Sequence, residues 1–395
     1  VDQGTRGENI VTGKQQPSLF ENDRLTLDNA LDLSIASLRA YGEKRYHWAV
    51  AYSGGKDSTA MLAFVVWALK KRLIPEPQSL TILYADTRME IPPLQQSALR
   101  ILDQVSGMGH AARVVLPELD DRFYVYMLGR GVPPPKNRFR WCTPQLKIEP
   151  MHAALGDLRQ QAGEKLLMLT GVRLGESAAR DARIAVSCSK DSGECGQGWF
   201  QVATPDSIAD TLAPMLHWRL CHVFDWLYFE QERHQLDTTG IAAVYGEDDI
   251  RTGCIGCNLA SRDTALERLI RHEQWQHLRP LLELKPLYAE LTKARHRKRK
   301  VEPELRQDGQ WSRNVQRLGP LTMDARAYGL DRILDIQQRA GVDLVNPEEE
   351  AVIRQMWADN IWPQKWSDQD ADGTEPLDAI RLTLDGELSV QPRMI

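Results

Sequence analysis

The run Ser53-Gly54-Gly55-Lys56-Asp57-Ser58 limits what this chain can fold into more than any other segment. It follows His47–Tyr52 (HWAVAY), an apolar run that reads as a strand. It opens residues 58–72, where Met61, Leu62, Val65, Val66 and Leu69 fall at helical spacing. Two glycines at such a corner let the backbone turn tightly and come close to a ligand. The unpaired N–H groups at the helix start, together with the helix dipole, favour a polyanion there. Ser53 and Ser58 add hydroxyls, and Lys56 adds a positive charge. The spacing is too short for the Walker loop, which needs more residues before its Gly-Lys-Ser/Thr.

The surrounding pattern predicts an α/β domain. Leu80–Ala85 (LTILYA), Ala112–Leu116 and Leu166–Thr170 read as further strands, alternating with helices at Pro93–Val105 and near 150–161, which signals a parallel sheet. Residues 222–234 read as helical, and from about 260 the pattern turns to helices only, broken at Pro280 and Pro286. Residues 323–340 form one such helix. Asn346-Pro347-Glu348-Glu349-Glu350 starts another, with Asn as cap, Pro at the first position and acids at the positive end of the dipole. The expected organisation is a loose arm over 1–24, a nucleotide-binding catalytic domain over 25–260 with cysteine-containing insertions, and a mainly helical region over 261–395 whose polar end, from 362, is irregular.

Composition narrows the class. The longest apolar run, residues 60–69, ends at Lys70, Lys71 and Arg72 and is too short to cross a bilayer. No secretory signal is legible at the start, so a cytoplasmic protein without membrane contact is expected. A net charge of −5 argues against a protein that coats nucleic acid unaided. Six cysteines in a reducing compartment point to metal ligation, catalysis or burial rather than to disulfides.

Ser53–Ser58 resembles the PP-loop of the adenine nucleotide α-hydrolase-like proteins, a family that includes ATP pyrophosphatases and phosphoadenylyl sulfate (PAPS) reductases. Tyr84-Ala85-Asp86-Thr87 with Glu90 is similar to the family's strand-end Asp-Thr. Arg138-Phe139-Arg140-Trp141-Cys142-Thr143 with Lys147 and Pro150 resembles a segment of the reductase-like branch. So do Thr170-Gly171-Val172-Arg173 with Glu176, Ser177 and Arg180, and the stretch from Pro214 through Trp218 to Trp226. These matches run from about 48 to 260. Among members of the family the chain most resembles the DNA phosphorothioation proteins of the SspD and DndC type. It is shorter than a typical DndC-type protein and lacks the cysteine-rich run before the late Cys-x-x-Cys, so the SspD type fits better.

The resemblance implies a Rossmann-like parallel sheet with a helical C-terminal extension, and an ATP pyrophosphatase that adenylates a DNA backbone phosphate oxygen so that sulfur can replace it. ATP with magnesium would be held by Ser53, Gly54, Gly55, Lys56, Asp57, Ser58, Asp86 and Arg173. Lys56, Asp57, Cys142 and Arg173 would carry the chemistry. A turn cap is the alternative role for Asp86. The implied partners are DNA, a cysteine desulfurase as sulfur donor, and other phosphorothioation subunits. The alternatives are a PAPS or adenylyl sulfate reductase, a tRNA-thiolating enzyme, and a nucleotide-binding subunit without turnover. The intact loop favours ATP use over sulfate reduction.

The cysteines leave alternatives open. Cys254-Ile255-Gly256-Cys257 can clasp a metal or the edge of an iron–sulfur cluster, its glycines leaving room for sulfur. Cys188 and Cys195 form a second pair, and the family resemblance favours iron over zinc. Cys142 stands near Arg138, Arg140 and Lys147, cations expected to favour its thiolate. It is a candidate to carry a persulfide, or to replace Cys188 or Cys195 as a ligand. Cys221, in an apolar helical segment, is expected to be buried. The block Lys293-Ala294-Arg295-His296-Arg297-Lys298-Arg299-Lys300 is either a DNA contact or a solvated charged face.

Overall fold

The computed structural model describes residues 25–137, 139–175, 208–246, 252–306, 308–383 and 385–391. The expected arm at 1–24 lies outside them. Five strands, β1 (His47–Tyr52), β2 (Ser79–Ala85), β3 (Ala111–Val115), β4 (Leu166–Thr170) and β5 (Ala209–Leu212), pair in parallel in the order β3-β2-β1-β4-β5. Val50 of β1 stands opposite Ile82 on one side and Leu169 on the other. Such a sheet is covered on both faces, which is why β1 reads as a nearly unbroken apolar run. β5 has no apolar run to mark it in the sequence: only four residues long, it carries Asp210 and Thr211 inside the fold.

The strand order sets the site. From β1 the chain steps outward through β2 and β3, then returns to the other side of β1 at β4. The carboxyl ends of β1 and β4 therefore flank a topological switch point, where open α/β sheets leave a crevice.

Helices α1 (Leu27–Gly42), α2 (Lys56–Lys70), α3 (Pro92–Gly107) and α4 (Glu149–Ala162) cover the sheet, joined by α5 (Leu220–Phe229) and α6 (Thr239–Tyr245). Every residue of α2 from Ser58 to Ala68 is buried. Its Trp67 meets Trp226 of α5 edge-on at 5.4 Å between ring centroids, and Trp226 meets Trp218 at 6.3 Å. Much of the tryptophan content thus fills core. The single helix expected over 222–234 is two, α5 and the short Gln231–His234.

Beyond 260 the chain is mainly helical, but not helical only. The helices α7 (Leu284–Leu291), α8 (Met323–Ala340) and α9 (Pro347–Ala358) are joined by short antiparallel strands. β6 (Arg297–Arg299) lies between β7 (Leu318–Leu321) and β8 (Ala371–Asp372), and β9 (Ala379–Leu382) pairs with β10 (Leu388–Gln391) in the tail expected to be irregular. The basic block supplies β6. Arg297 is buried and donates to the Gly319 carbonyl; Lys298 meets Asp372 at 3.0 Å and Lys300 meets Asp370 at 2.7 Å. Glu290 takes Lys293 at 2.6 Å and also pairs with Arg295 and His296. Part of the block's charge is thus paired within the fold, while the side chains of Lys293 and Arg295 stay more than half exposed.

One core cluster runs from Ala30 to Met356, across the boundary expected near 260. Fully buried Arg326 of α8 ties the two parts. Its Nη1 donates to the carbonyls of Gly129 and Ile361, both at 2.9 Å, and its guanidinium stacks 4.1 Å from the Trp362 ring centroid. Among the described residues no helix is long and apolar enough to cross a membrane.

Candidate active site

The phosphate loop lies at the switch point. Gly54 adopts φ +72°, which only glycine takes without strain, and a Cβ there would stand 2.8 Å from Ala98 Cβ. The serines brace the turn. Ser53 N donates to Ser58 Oγ at 3.2 Å, and Ser58 Oγ bonds the Gly55 carbonyl at 3.1 Å. Gly55 occupies the N-cap of α2 with no side chain to satisfy the first turn, so the helix start faces the cleft.

The end of β4 closes against this loop. A Cβ on Gly171 would lie 2.7 Å from the Asp57 carbonyl oxygen, so only glycine lets the end of β4 come so close to the first turn of α2. Two residues on, buried Arg173 donates from Nε to Asp57 Oδ1 at 2.6 Å and from Nη1 to the Trp218 carbonyl at 3.3 Å. Lys56 Nζ stands 3.3 Å from the other Asp57 oxygen. Lys56, Asp57 and Arg173 thus form one charge chain along the wall of the cleft.

That cleft holds about 650 Å³ and runs from the 53–58 loop past Glu90 and Lys147 to Thr252, Gly253 and Cys254. Tyr245 closes one side. Its hydroxyl accepts from Lys56 N at 3.4 Å and bonds Thr252 Oγ1 at 2.5 Å, while Lys56 Nζ lies 5.2 Å from its ring centroid. No local pattern could have announced Tyr245, because it reaches the loop from α6, nearly the length of a domain away in sequence. Asp86 is placed at the end of β2, but its carboxylate accepts from Arg88 N at 2.8 Å and from Gln95 Nε2 at 3.0 Å. It organises a turn, and the acids that line the cleft are Asp57 and Glu90. Thr87 holds Glu90 through its hydroxyl at 2.7 Å and its amide at 3.2 Å. Burial nevertheless raises the Glu90 pKa, with Lys147 opposing.

The cysteine end of the cleft is electrostatically one unit. Cys142, Cys254 and Cys257 act on one another and on Lys147. Burial pushes the Cys254 thiol up to about 11, against the pull of Lys147. The Cys142 pKa is raised, by burial first and by Cys257 next, with a hydrogen bond from Thr143 and, more weakly, Lys147 only partly offsetting them. This overturns the expectation that cations make Cys142 a ready thiolate. Among the described residues Lys147 is the cation that acts on it, and desolvation outweighs that one charge. For Lys147 itself burial works against the charge, but Cys254 and Glu90 carry its pKa upward.

Cys221 is exposed, not buried. On α5 the core takes His222, Val223, Trp226 and Leu227, and Cys221 falls on the other side. Arg138, Glu176, Ser177, Arg180, Cys188 and Cys195 lie outside the described residues. Among the described residues no group of three or more His, Cys, Asp or Glu side chains is arranged to hold a metal ion. Cys188 and Cys195 being outside the described residues, the expected four-cysteine ligand set is not complete among them, and Cys142, Cys254 and Cys257 are the described thiols that would contribute to holding a cluster or a zinc ion.

A doubly wound parallel sheet with a glycine-built polyanion loop at its switch point defines a nucleotide-binding α/β protein. Within that class, the chain belongs to the phosphoadenosine phosphosulfate reductase domain family, whose sequence model matches residues 47–257. No curated protein matches it. Among solved structures it is similar to a phosphoadenylyl-sulfate reductase from Candida auris, with 12% identity over 52% of this chain and 85% of that one and a TM-score of 0.32. It is also similar to the U34-tRNA thiolase NcsA from Methanococcus maripaludis, with 14% identity over 67% and 79% of the two chains and a TM-score of 0.35. A third is the NMN synthetase from Francisella tularensis, with 12% identity over 64% and 96% and a TM-score of 0.33.

Proposed function

We propose that this protein is an ATP pyrophosphatase that adenylates a DNA backbone phosphate oxygen, so that sulfur can replace that oxygen. The observation that carries the reading is the single cleft joining the 53–58 loop to Cys254. MgATP enters as substrate, its β- and γ-phosphates on the loop. The acceptor oxygen attacks the α-phosphorus, the bond from that phosphorus to the bridging oxygen breaks, and pyrophosphate leaves with the electron pair. Lys56 and the amides at the start of α2 neutralise the departing charge. Asp57, held by Arg173, fixes where the Lys56 ammonium stands.

The adenylated oxygen then departs as AMP when a sulfur nucleophile attacks the acceptor phosphorus. A persulfide on Cys142, loaded by a cysteine desulfurase, supplies that nucleophile. The attack gives a P–S–S–Cys142 linkage. Cys254 or Cys257 attacks Cys142 Sγ, which releases the phosphorothioate and leaves a protein disulfide that a thiol reductant reopens. Cys142 and Cys257 both bear on the charge of Cys254, and Cys257 on that of Cys142, which supports a sulfur relay among them.

The test supplies MgATP, a persulfide-loaded desulfurase, a thiol reductant, and either duplex DNA or tRNA. AMP and pyrophosphate in equal amounts, with phosphorothioate dinucleotides in nuclease-digested DNA, support the reading. Thiolated nucleoside in tRNA alone would replace the acceptor. Binding of ATP with no AMP in any arm would reduce the protein to a nucleotide-binding subunit.

A further inference from the structure

The turn after β2 connects three parts of the molecule through three consecutive residues. Glu90 points into the cleft. The Met89 carbonyl accepts from Ile255 N at 2.7 Å, inside the Cys254–Cys257 turn. Arg88 reaches away from the cleft, toward the C-terminal helices. Its Nε lies 3.0 Å from Glu349 Oε1 and its Nη2 lies 2.9 Å from Asp343 Oδ2.

Glu349 is an unusual partner. It belongs to α9, yet it is only 2% exposed. Its Oε2 accepts from Asn346 N at 3.0 Å, completing the capping box of α9, so that oxygen is committed to the helix. Its Oε1 accepts a hydrogen bond from Arg122 Nη1 at 3.2 Å and forms an ion pair with Arg88, whose Nε lies 3.0 Å away. A buried carboxylate with both oxygens committed holds its partners in one geometry, and taking one away leaves an uncompensated charge.

The turn needs such a hold. Arg88 has φ +58°, left-handed for a residue with a side chain, a conformation that costs about 1–2 kcal/mol. The Asp86 carboxylate supports it from the sheet side by accepting from Arg88 N. Glu349 supports it from the C-terminal side.

We infer that Glu349 is a positioning residue for the active site: through Arg88 it fixes the 86–90 turn, and so places both Glu90 and the Cys254–Cys257 turn relative to the phosphate loop. The C-terminal helical region is then a working part of the site. Only the kinetic readout of the test rests on the ATP-pyrophosphatase reading.

The experiment compares the full-length protein with Glu349→Gln, Arg88→Met and the double variant. Glutamine keeps the capping function at that helix position, so Glu349→Gln removes the charge pairing without removing the cap. Alkylation of Cys254 by iodoacetamide, followed by peptide mass spectrometry on the folded protein, reports the placement of the cysteine turn without any assumption about activity. Each single variant is expected to change that rate at least about fivefold. The double variant is expected to fall closer to the larger single effect than to the product of the two, because the Arg88–Glu349 pair is lost in both while Arg88–Asp343 and Arg122–Glu349 are each lost in one. In pyrophosphate release, kcat should fall about tenfold while KM for MgATP stays within about twofold, since the phosphate loop is untouched. A purely structural role would lower the melting temperature and leave the alkylation rate and the kcat-to-KM split unmoved, and that result would overturn the inference. So would additive effects in the double variant. If the unsubstituted protein releases no pyrophosphate, the proposed function fails, and the alkylation readout still decides the role of Glu349.

Discussion

Arg173 Nε lies 2.6 Å from Asp57 Oδ1, joining the loop after β4 to the first turn of α2 across the switch point. The other Asp57 oxygen faces Lys56 Nζ at 3.3 Å, so one carboxylate sets two cations. Arg173→Lys keeps the charge but loses the fixed fork. Pyrophosphate release is expected to fall about 100-fold, comparable to the loss of one charge-stabilising donor. Arg173→Ala should fall further and also lower the melting temperature, because Asp57 loses its buried partner. Steady-state kinetics beside thermal unfolding separates the two effects.

Tyr245 occupies the Lys56 amide through its hydroxyl, where a phosphate oxygen would bind. Tyr245→Phe removes that competitor and the link to Thr252 while keeping the ring beside Lys56. MgATP is expected to bind about threefold to tenfold tighter, of the order of one modest hydrogen bond. Calorimetric titration reads this directly, and unchanged or weaker binding would show that the phenol is not in the phosphate's place.

Much of the site was legible because it is local. A strand, two glycines and a helix start are adjacent in sequence, and β1, β4 and α8 fall on the residues their periodicity marks. What the sequence could not carry is long-range. Glu349 reads as an ordinary acid in a helix's first turn, and nothing nearby shows that its other oxygen serves Arg88 and Arg122. The basic block is half legible for the opposite reason: its charge is visible, while Asp372 and Asp370, which pair with Lys298 and Lys300, lie some 70 residues on. The Cys142 thiol departs from its sequence neighbourhood because neighbouring cations can be read from sequence and desolvation cannot.

Cys254 should react slowly at neutral pH. With its pKa pushed up to about 11, its thiolate fraction rises about tenfold per pH unit until near pH 11, whereas an ordinary thiol levels off near 8.5. Iodoacetamide rates across pH 7–10 check the slope. Lys147→Met removes the cation that pulls this pKa down, and is expected to slow alkylation at pH 8 several-fold.

His234 gives the fold an acid limit. Its Nδ1 accepts from Leu236 N and its other nitrogen faces the Trp226 carbonyl, each at 3.1 Å, which suits only the neutral ring. Burial lowers its pKa to about 4 from 6.5. The unfolded chain therefore binds the extra proton first, so this contribution is complete above pH 6.5 and falls away as pH drops toward 4. The loss is about 3 kcal/mol. Urea unfolding at pH 7 and pH 4 should show it, and His234→Gln should remove that part of the difference.

Cys142→Ser separates activation from sulfur transfer. AMP and pyrophosphate should still form, because the phosphate loop and its charge chain are intact, while phosphorothioate should fall to background. Loss of both activities together would tie Cys142 to the fold of the cleft instead.

The most direct test of the central claim is to identify the products from MgATP labelled at the α- and γ-phosphates, with the unsubstituted protein and with Lys56→Ala. A loop that holds the outer phosphates while the innermost is attacked yields AMP and pyrophosphate, and Lys56→Ala should reduce both by about 100-fold or more while leaving the far-ultraviolet circular dichroism unchanged. ADP and orthophosphate, or full AMP formation by Lys56→Ala, would contradict it.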